Sequence, residues 1–236
     1  DTEAFDYRKK HLKKRLFKIV ADQCGKLFSP EVLTIVWARR FAGYKRADLL
    51  LKDKERFTRL LNNPKYPVQI IWAGKPYPMD YSAISVFNSL VEESKVQNNM
   101  AVLTGYELAL SKSLKQGSDV WLNNPRVPRE ASGTSGMTAA MNGSINLSTD
   151  DGWIPEFAKP GENSFVVPKA DYENMSVYEQ DNYDLNALYE ILEKEVIPTY
   201  YEDKNKWRKI MQTAMDDVKM EFGSDRMADE YYTLLY

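Results

Sequence analysis

Four cationic side chains lie within eight residues that follow an apolar run. The run is VLTIVWA (32–38), and the cations after it are Arg39, Arg40, Lys45 and Arg46. In a turn between a buried strand and a helix, such cations add to the anion preference of the helix N-terminus. Arginine contributes forked hydrogen bonds and lysine a point charge. This pattern predicts a phosphate site with Arg40 and Lys45 as its contacts, and a solvated basic turn is the alternative.

A second segment places one carboxylate and several small residues before a predicted helix. It reads NNPRVPREASGTSGMT over 123–138. Glu130 can accept hydrogen bonds from sugar hydroxyls, and backbone N–H groups of residues 132–135 can donate to hydroxyl or phosphate oxygens because no large side chain intervenes. A tight turn whose Ser and Thr only cap the helix is the alternative. The length of the segment favours a site for a polyhydroxyl ligand.

The other chemical candidates are weaker. Tyr106 follows the third predicted strand and could stack on a flat ring, although a tyrosine buried at a sheet edge is commoner. The single histidine, His11, lies on the first predicted helix, away from both segments. We find no Ser-His-Asp set, no cysteine with a catalytic partner and no metal-type spacing of Cys and His. We therefore expect no metal site.

Short apolar runs alternate with longer amphipathic ones. This alternation predicts βαβ units, and hence an α/β, Rossmann-like parallel sheet with helices on both faces. The predicted strands cover 32–38, 68–74, 100–105 and 118–124. The predicted helices cover 45–62, about 80–96, 107–116 and 137–143, with a short run at 144–148. Ligands bind outside the carboxyl ends of such strands, so both polar segments should meet at one rim.

Three parts are predicted along the chain. Residues 1–30 form a connecting helix from a missing N-terminal lobe, 31–183 the Rossmann-like lobe, and 184–236 a helical C-terminal appendage. The first helix carries an apolar stripe, which should pack on a partner surface. Its members are Leu12, Leu16, Ile19 and Val20. We interpret the chain as part of a longer protein.

The composition fits an ordinary folded domain. The 236 residues are 43% hydrophobic and 28% charged, and the net charge of −2 gives no general attraction to nucleic acid or anionic membranes. A single cysteine, Cys24, cannot form an internal disulfide, which favours a cytoplasmic location. No apolar run approaches the roughly 18 residues that span a bilayer.

Several strings together resemble the α-glucan (glycogen, starch and maltodextrin) phosphorylases, particularly the short bacterial and archaeal type. The similarity runs from about residue 30 to the end of the chain. The strings are RRFAGYKRADLLL, IIWAGKPYP, SDVWLNNPRVPREASGTSGM and NGSINLSTDDGW. The resemblance implies the C-terminal lobe of a two-lobed GT-B glycosyltransferase. It also implies reversible phosphorolysis of an α-1,4-glucan to glucose 1-phosphate, with pyridoxal phosphate in this lobe.

The resemblance also implies individual roles. Arg40 and Lys45 match the family's phosphate contacts. The residues that match the binding site of the transferred glucose are Glu130, Ser132 and Gly133. The residues that match the cofactor site are Thr134 and Ser135 at its phosphate and Tyr106 at its pyridine ring.

One position departs from the family. Thr138, eight residues beyond Glu130, stands where the family has the lysine that holds pyridoxal phosphate covalently. A hydroxyl cannot form an imine, so the cofactor would bind here noncovalently. Three explanations of Thr138 are open: a homologue that binds the cofactor loosely, a homologue that has lost the cofactor, and an altered copy. A cofactor-free nucleotide-sugar glycosyltransferase and a non-catalytic glucan-binding homologue are the alternative functions.

Overall fold

A six-stranded parallel sheet forms the centre of the molecule. The computed structural model describes residues 2–235, and its strand order is β3-β2-β1-β4-β5-β6. The strands are β1 Leu33–Ala38, β2 Val68–Ala73, β3 Met100–Leu103, β4 Val120–Asn123, β5 Ile145–Ser148 and β6 Ser164–Val166. Strands β1 to β5 are buried along their whole length, as expected for apolar runs covered on both faces. The predicted α/β, Rossmann-like class is confirmed.

Helices cover both faces of the sheet. They are α1 Thr2–Cys24, α2 Lys54–Leu61, α3 Tyr81–Val96, α4 Leu108–Gly117, α5 Thr134–Met141, α6 Ile154–Phe157, α7 Val177–Ile191, α8 Ile197–Glu202, α9 Lys204–Phe222 and α10 Ser224–Leu234. A π-helical turn, Leu192–Val196, connects α7 and α8. The helical C-terminal segment is confirmed. The three-part division of the chain stays a prediction, and α7 runs across its second boundary.

The helix predicted over 45–62 is wrong in its first half. Two 3-10 turns, Gly43–Lys45 and Leu49–Lys52, precede α2. Arg46 has a positive φ of 50°, which an α-helix cannot contain. The carboxylate of Asp53 accepts a hydrogen bond from the Arg56 N–H and so starts the true helix.

The first helix finds its partner within this chain. Leu16 and Val20 are fully buried, in one cluster with Val36 of β1 and Trp121 of β4. Helix α1 also packs along α4, which crosses the same face of the sheet. The apolar stripe is therefore covered by the lobe itself, because α1 belongs to the lobe's core. None of the helices within residues 2–235 has the length and apolarity needed to cross a membrane.

Candidate functional site

The two polar segments meet at the carboxyl edge of the sheet. Strands β1 and β4 are neighbours, so the turns that follow them lie side by side. The N–H of Arg126 donates to the carbonyl of Tyr44 at 2.7 Å. The Nζ of Lys45 lies 3.1 Å from the Oε2 of Glu130. The basic turn and the small-residue turn thus form one site.

Within the basic turn, Arg39 and Lys45 lie next to Glu130, whereas Arg40 is exposed. Lys45 and Glu130 are 14% and 15% exposed, so their charges are largely withdrawn from water. The Nη1 of Arg39 is 3.8 Å from the Oε2 of Glu130, whereas Arg40 is exposed and forms no ion pair within residues 2–235. The guanidinium of Arg39 lies over the ring of Trp37. Sequence reasoning did not name Arg39 as a contact, because β1 is buried on both faces and no alternation along it distinguishes Arg39 from Arg40.

Arg39 has unused hydrogen-bonding capacity. Its Nη2 donates to the Leu122 carbonyl at 3.3 Å, while its buried Nε has no partner within the described part of the chain. Burial lowers the pKa of Arg39 to about 10, against the opposing effect of Glu130, so the side chain stays charged at neutral pH. Two cations therefore face one carboxylate, and a bound anion would balance the excess positive charge.

A turn after β5 positions Glu130. The Oδ2 of Asp151 accepts hydrogen bonds from the N–H groups of Arg129 at 2.9 Å and Glu130 at 2.8 Å. The N–H of Trp153 donates to the Ser132 carbonyl at 2.8 Å. Gly152 has a φ of 64°, and a Cβ there would lie 2.4 Å from the Ser132 oxygen. Sequence reasoning assigned no role to Asp151, although Asp-Asp-Gly is itself a turn signal.

Helix α5 opens directly at this site. It begins at Thr134 after Gly133, whose φ is 92°, and no side chain of the described residues caps it. Ser132 and Thr134 are exposed and Ser135 half-buried, so the serine and threonine do not serve as caps. The first turn of a helix leaves N–H groups without intrahelical partners. Here the N–H of Gly136 donates to the Gly133 carbonyl at 2.9 Å, while those of Thr134 and Ser135 have no partner among the described residues.

Close packing fixes the position of α5. A Cβ at Gly136 would lie 2.7 Å from the Oδ1 of Asn146 and 2.8 Å from the Nε1 of Trp153. The Nδ2 of Asn146 in turn donates to the Gly136 carbonyl at 3.1 Å. The start of α5 therefore cannot shift away from β5 without breaking buried contacts.

Tyr106 and Thr138 lie on elements beside this rim. The hydroxyl of Tyr106 is 3.4 Å from the Ala38 carbonyl at the end of β1, and its ring is half-buried. The hydroxyl of Thr138 donates back to the carbonyls of Thr134 and Ser135, both at 3.2 Å. That hydroxyl is thus satisfied by its own helix.

The residues present fit pyridoxal phosphate in part. Thr138 has no amine, so covalent attachment at this position does not fit. The uncapped start of α5 and the partnerless Nε of Arg39 do fit an anionic group, and Tyr106 offers an aromatic face. No group of His, Cys, Asp and Glu side chains in residues 2–235 is arranged to hold a metal ion.

Residues 2–196 match the Phosphorylase family, described as carbohydrate phosphorylase. The chain therefore belongs to the carbohydrate phosphorylase family, which confirms the resemblance seen in the sequence. It is 44% identical to an uncharacterized protein of Methanocaldococcus jannaschii, over 100% of this chain and 44% of that relative. It is 39% identical to the maltodextrin phosphorylase of Thermococcus litoralis, over 99% of this chain and 28% of that relative.

A glycogen phosphorylase of Aquifex aeolicus is 38% identical, over 90% of this chain and 31% of that relative. The chain thus spans less than half the length of each of these relatives.

Proposed function

We propose that the full-length protein is an α-glucan phosphorylase-type hexosyltransferase and that this chain is the C-terminal lobe of its GT-B fold. The reaction is reversible phosphorolysis of an α-1,4-glucan to glucose 1-phosphate. The observation that carries this proposal is the pairing of Lys45 with Glu130 at 3.1 Å, with the buried Arg39 beside them. Phosphate attacks the anomeric carbon of the terminal glucose, so a phosphate site must adjoin a sugar site. Family membership and the named relatives support the same reaction.

The residues of the site divide into two groups by their chemistry. Lys45 and Arg40 contact the substrate phosphate, and the buried Arg39 beside Glu130 adds a third cation, whereas the side chain of Arg40 is exposed. Glu130 accepts hydrogen bonds from glucose hydroxyls, while the backbone of Ser132 and Gly133 donates to the same sugar. The cations also stabilise the negative charge that develops on the phosphate as the glycosidic bond breaks.

Pyridoxal phosphate is a noncovalent cofactor in this proposal. Thr134 and Ser135 would hold its phosphate at the start of α5, and Tyr106 would contact its ring. When bound, it supplies a second phosphate group that exchanges a proton with the substrate phosphate. Arg39, Arg40 and Lys45 offset the repulsion between the two phosphates. A cytoplasmic location also stays a prediction, resting on the single unpaired Cys24.

The decisive experiment is an assay of the full-length protein with maltodextrin and inorganic phosphate, with and without added pyridoxal phosphate. We expect glucose 1-phosphate to be released only when phosphate is present, and the rate to rise with added cofactor. A protein that instead transfers glucose from a nucleoside diphosphate glucose would be the cofactor-free glycosyltransferase, which the absence of an amine at Thr138 favours. A protein that binds maltodextrin without turnover would be a non-catalytic homologue.

Replacing Thr138 with lysine tests the cofactor assignment. Thr138 lies one helical turn beyond Thr134, on the same face of α5. A lysine at position 138 would therefore be attached to the backbone close to the proposed cofactor phosphate. After incubation with pyridoxal phosphate and borohydride reduction, we expect the variant's mass to increase by one pyridoxyl phosphate. The wild-type protein should gain none at position 138.

A lysine on an exposed helix face is the control for this experiment. Ser85→Lys adds an amine on α3, where Ser85 is exposed. Peptide mapping should place the label on position 138 and leave position 85 unlabelled at the same cofactor concentration. Equal labelling of the two lysines would remove the cofactor site from the proposal.

A further inference from the structure

The fourth cation of the basic turn, Arg46, is buried beneath the site and has no role in the function proposed above. Only 2% of its side chain is exposed, and its φ of 50° places it in the left-handed region. A residue that has a side chain adopts this conformation at a cost in free energy. The contacts of the Arg46 side chain must therefore hold the backbone there.

All three nitrogens of the guanidinium are bonded. The Nε donates to the Asn124 carbonyl at 2.9 Å and the Nη2 to the Pro125 carbonyl at 2.9 Å. The Nη1 donates to Asp181 at 3.0 Å, and the Nη2 also donates to Asp184 at 2.7 Å. Arg46 therefore ties the basic turn to the loop after β4 and to helix α7 at the same time.

The two carboxylates on α7 are held from other directions as well. Asp181 also pairs with Lys52 at 2.8 Å and Arg126 at 2.9 Å, and Asp184 accepts from the hydroxyl of Tyr172 at 2.9 Å. Burial alone would raise the pKa of Asp181, but hydrogen bonds from Lys52 and Arg46 lower it, so it stays charged. We call Arg46, Asp181 and Asp184 the Arg46 cluster.

Glu130 has an anchor that the Arg46 side chain does not contact. Glu130 is held by Asp151 from the turn after β5. The 3-10 turn Gly43–Lys45 has Arg46 as its C-terminal cap, so the position of Lys45 depends on where Arg46 is held. Loss of the Arg46 cluster should move Lys45 while Glu130 stays in place.

We propose that Arg46, held by Asp184, is a positioning residue that sets the distance between Lys45 and Glu130 and thereby the affinity for substrate phosphate. This inference rests on the proposed function, because it assigns phosphate to Lys45. A purely stabilising role would lower the melting temperature but leave the Michaelis constants of the folded protein unchanged.

The test is the variant Arg46→Asn in the full-length protein. Asparagine tolerates the left-handed conformation, so this change removes the guanidinium and keeps the backbone. We expect KM for phosphate to rise by about tenfold or more, which corresponds to weakening the charge-assisted contact between Lys45 and phosphate by about 1.4 kcal/mol or more. KM for maltodextrin should stay within about twofold. Arg46→Lys should restore little of the affinity for phosphate. Lysine keeps the positive charge but lacks the planar guanidinium that donates to several acceptors at once.

The matched control is Arg56→Asn. Arg56 likewise makes two hydrogen bonds to carboxylate oxygens, both on Glu193 at 2.9 and 2.6 Å, but this partner is on the π-helical turn. This variant should lose thermal stability and keep both Michaelis constants. If Arg46→Asn does not fold, Asp184→Asn replaces it, because the amide keeps the shape of the carboxylate.

An unchanged KM for phosphate in a folded variant of Arg46 or Asp184 would overturn the inference. If the wild-type protein releases no glucose 1-phosphate, the proposed function fails. The claim that Arg46 sets the distance between Lys45 and Glu130 is then tested by a crystal structure of Arg46→Asn. The distance from Lys45 Nζ to Glu130 Oε2 should then increase from its present 3.1 Å. An unchanged distance in that crystal structure would equally overturn the inference.

Discussion

Lys45→Met in the full-length protein should lower kcat/KM for the proposed phosphorolysis by about 10³-fold, the loss expected when one preorganised charged donor is removed from a desolvated site. Lys45 is one of two cations that face Glu130, and the other, Arg39, is 3.8 Å from that carboxylate. Without Lys45 the phosphate loses a direct contact, and Glu130 repels it more strongly because its own charge is less compensated. Glucose 1-phosphate release at saturating maltodextrin, measured over a range of phosphate concentrations, gives this value.

Lys95→Met provides the matched control for Lys45→Met. Lys95 forms an exposed pair with Glu92 on α3, and the same loss of one positive charge there should leave kcat/KM within about twofold. A Lys45→Met enzyme with nearly wild-type kcat/KM would show that the phosphate does not bind between the two turns.

Lys13→Met should lower the free energy of unfolding by about 3–5 kcal/mol, the usual cost of removing one partner of a buried ion pair. Lys13 and Asp119 are 2% and 3% exposed and form a direct pair. Lys13 also donates to the Val32 carbonyl at 2.7 Å, and Asp119 accepts from the Thr34 N–H at 2.9 Å. This pair connects α1 with the starts of β1 and β4, and the variant leaves a buried carboxylate unpaired.

The comparison variant for this second prediction lies on the same helix. Lys10 pairs with Glu31, but these side chains are 48% and 66% exposed, so Lys10→Met should cost no more than about 1 kcal/mol. Urea unfolding followed by tryptophan fluorescence measures both variants. Equal destabilisation of the two would mean that burial does not determine the strength of the Lys13 pair.

The fold could be predicted from the sequence because its signals are local. The runs at 32–38 and 68–74 are apolar except at Thr34 and Gln69 and at the final Gly74, a near-continuous pattern that is typical of strands covered on both faces. Strand β6 was missed because its three residues, Ser164–Val166, are too short to show a pattern. The prediction of helix in the first half of 45–62 was wrong because hydrophobic periodicity does not reveal that Arg46 is buried in the left-handed conformation.

The sequence also indicated which segments make the site but not which side chains face each other. Arg39 and Arg40 are adjacent and of the same type, so residue type alone cannot show which of them lies beside Glu130. The structure buries Arg39 beside Glu130 and exposes Arg40. Asp151 was missed for a related reason, since its hydrogen bond to the Glu130 N–H joins residues 21 positions apart.

The sequence by itself determined the parallel α/β architecture, the family and the absence of an amine at Thr138, because each is a property of residue type and order along the chain. The tertiary structure alone decided that Lys45 meets Glu130, that Asp151 holds the turn carrying Glu130 and that Arg46 is bound to α7. These are contacts between elements far apart in sequence. Their distances depend on how the strands pair and how the helices pack, which no local pattern encodes.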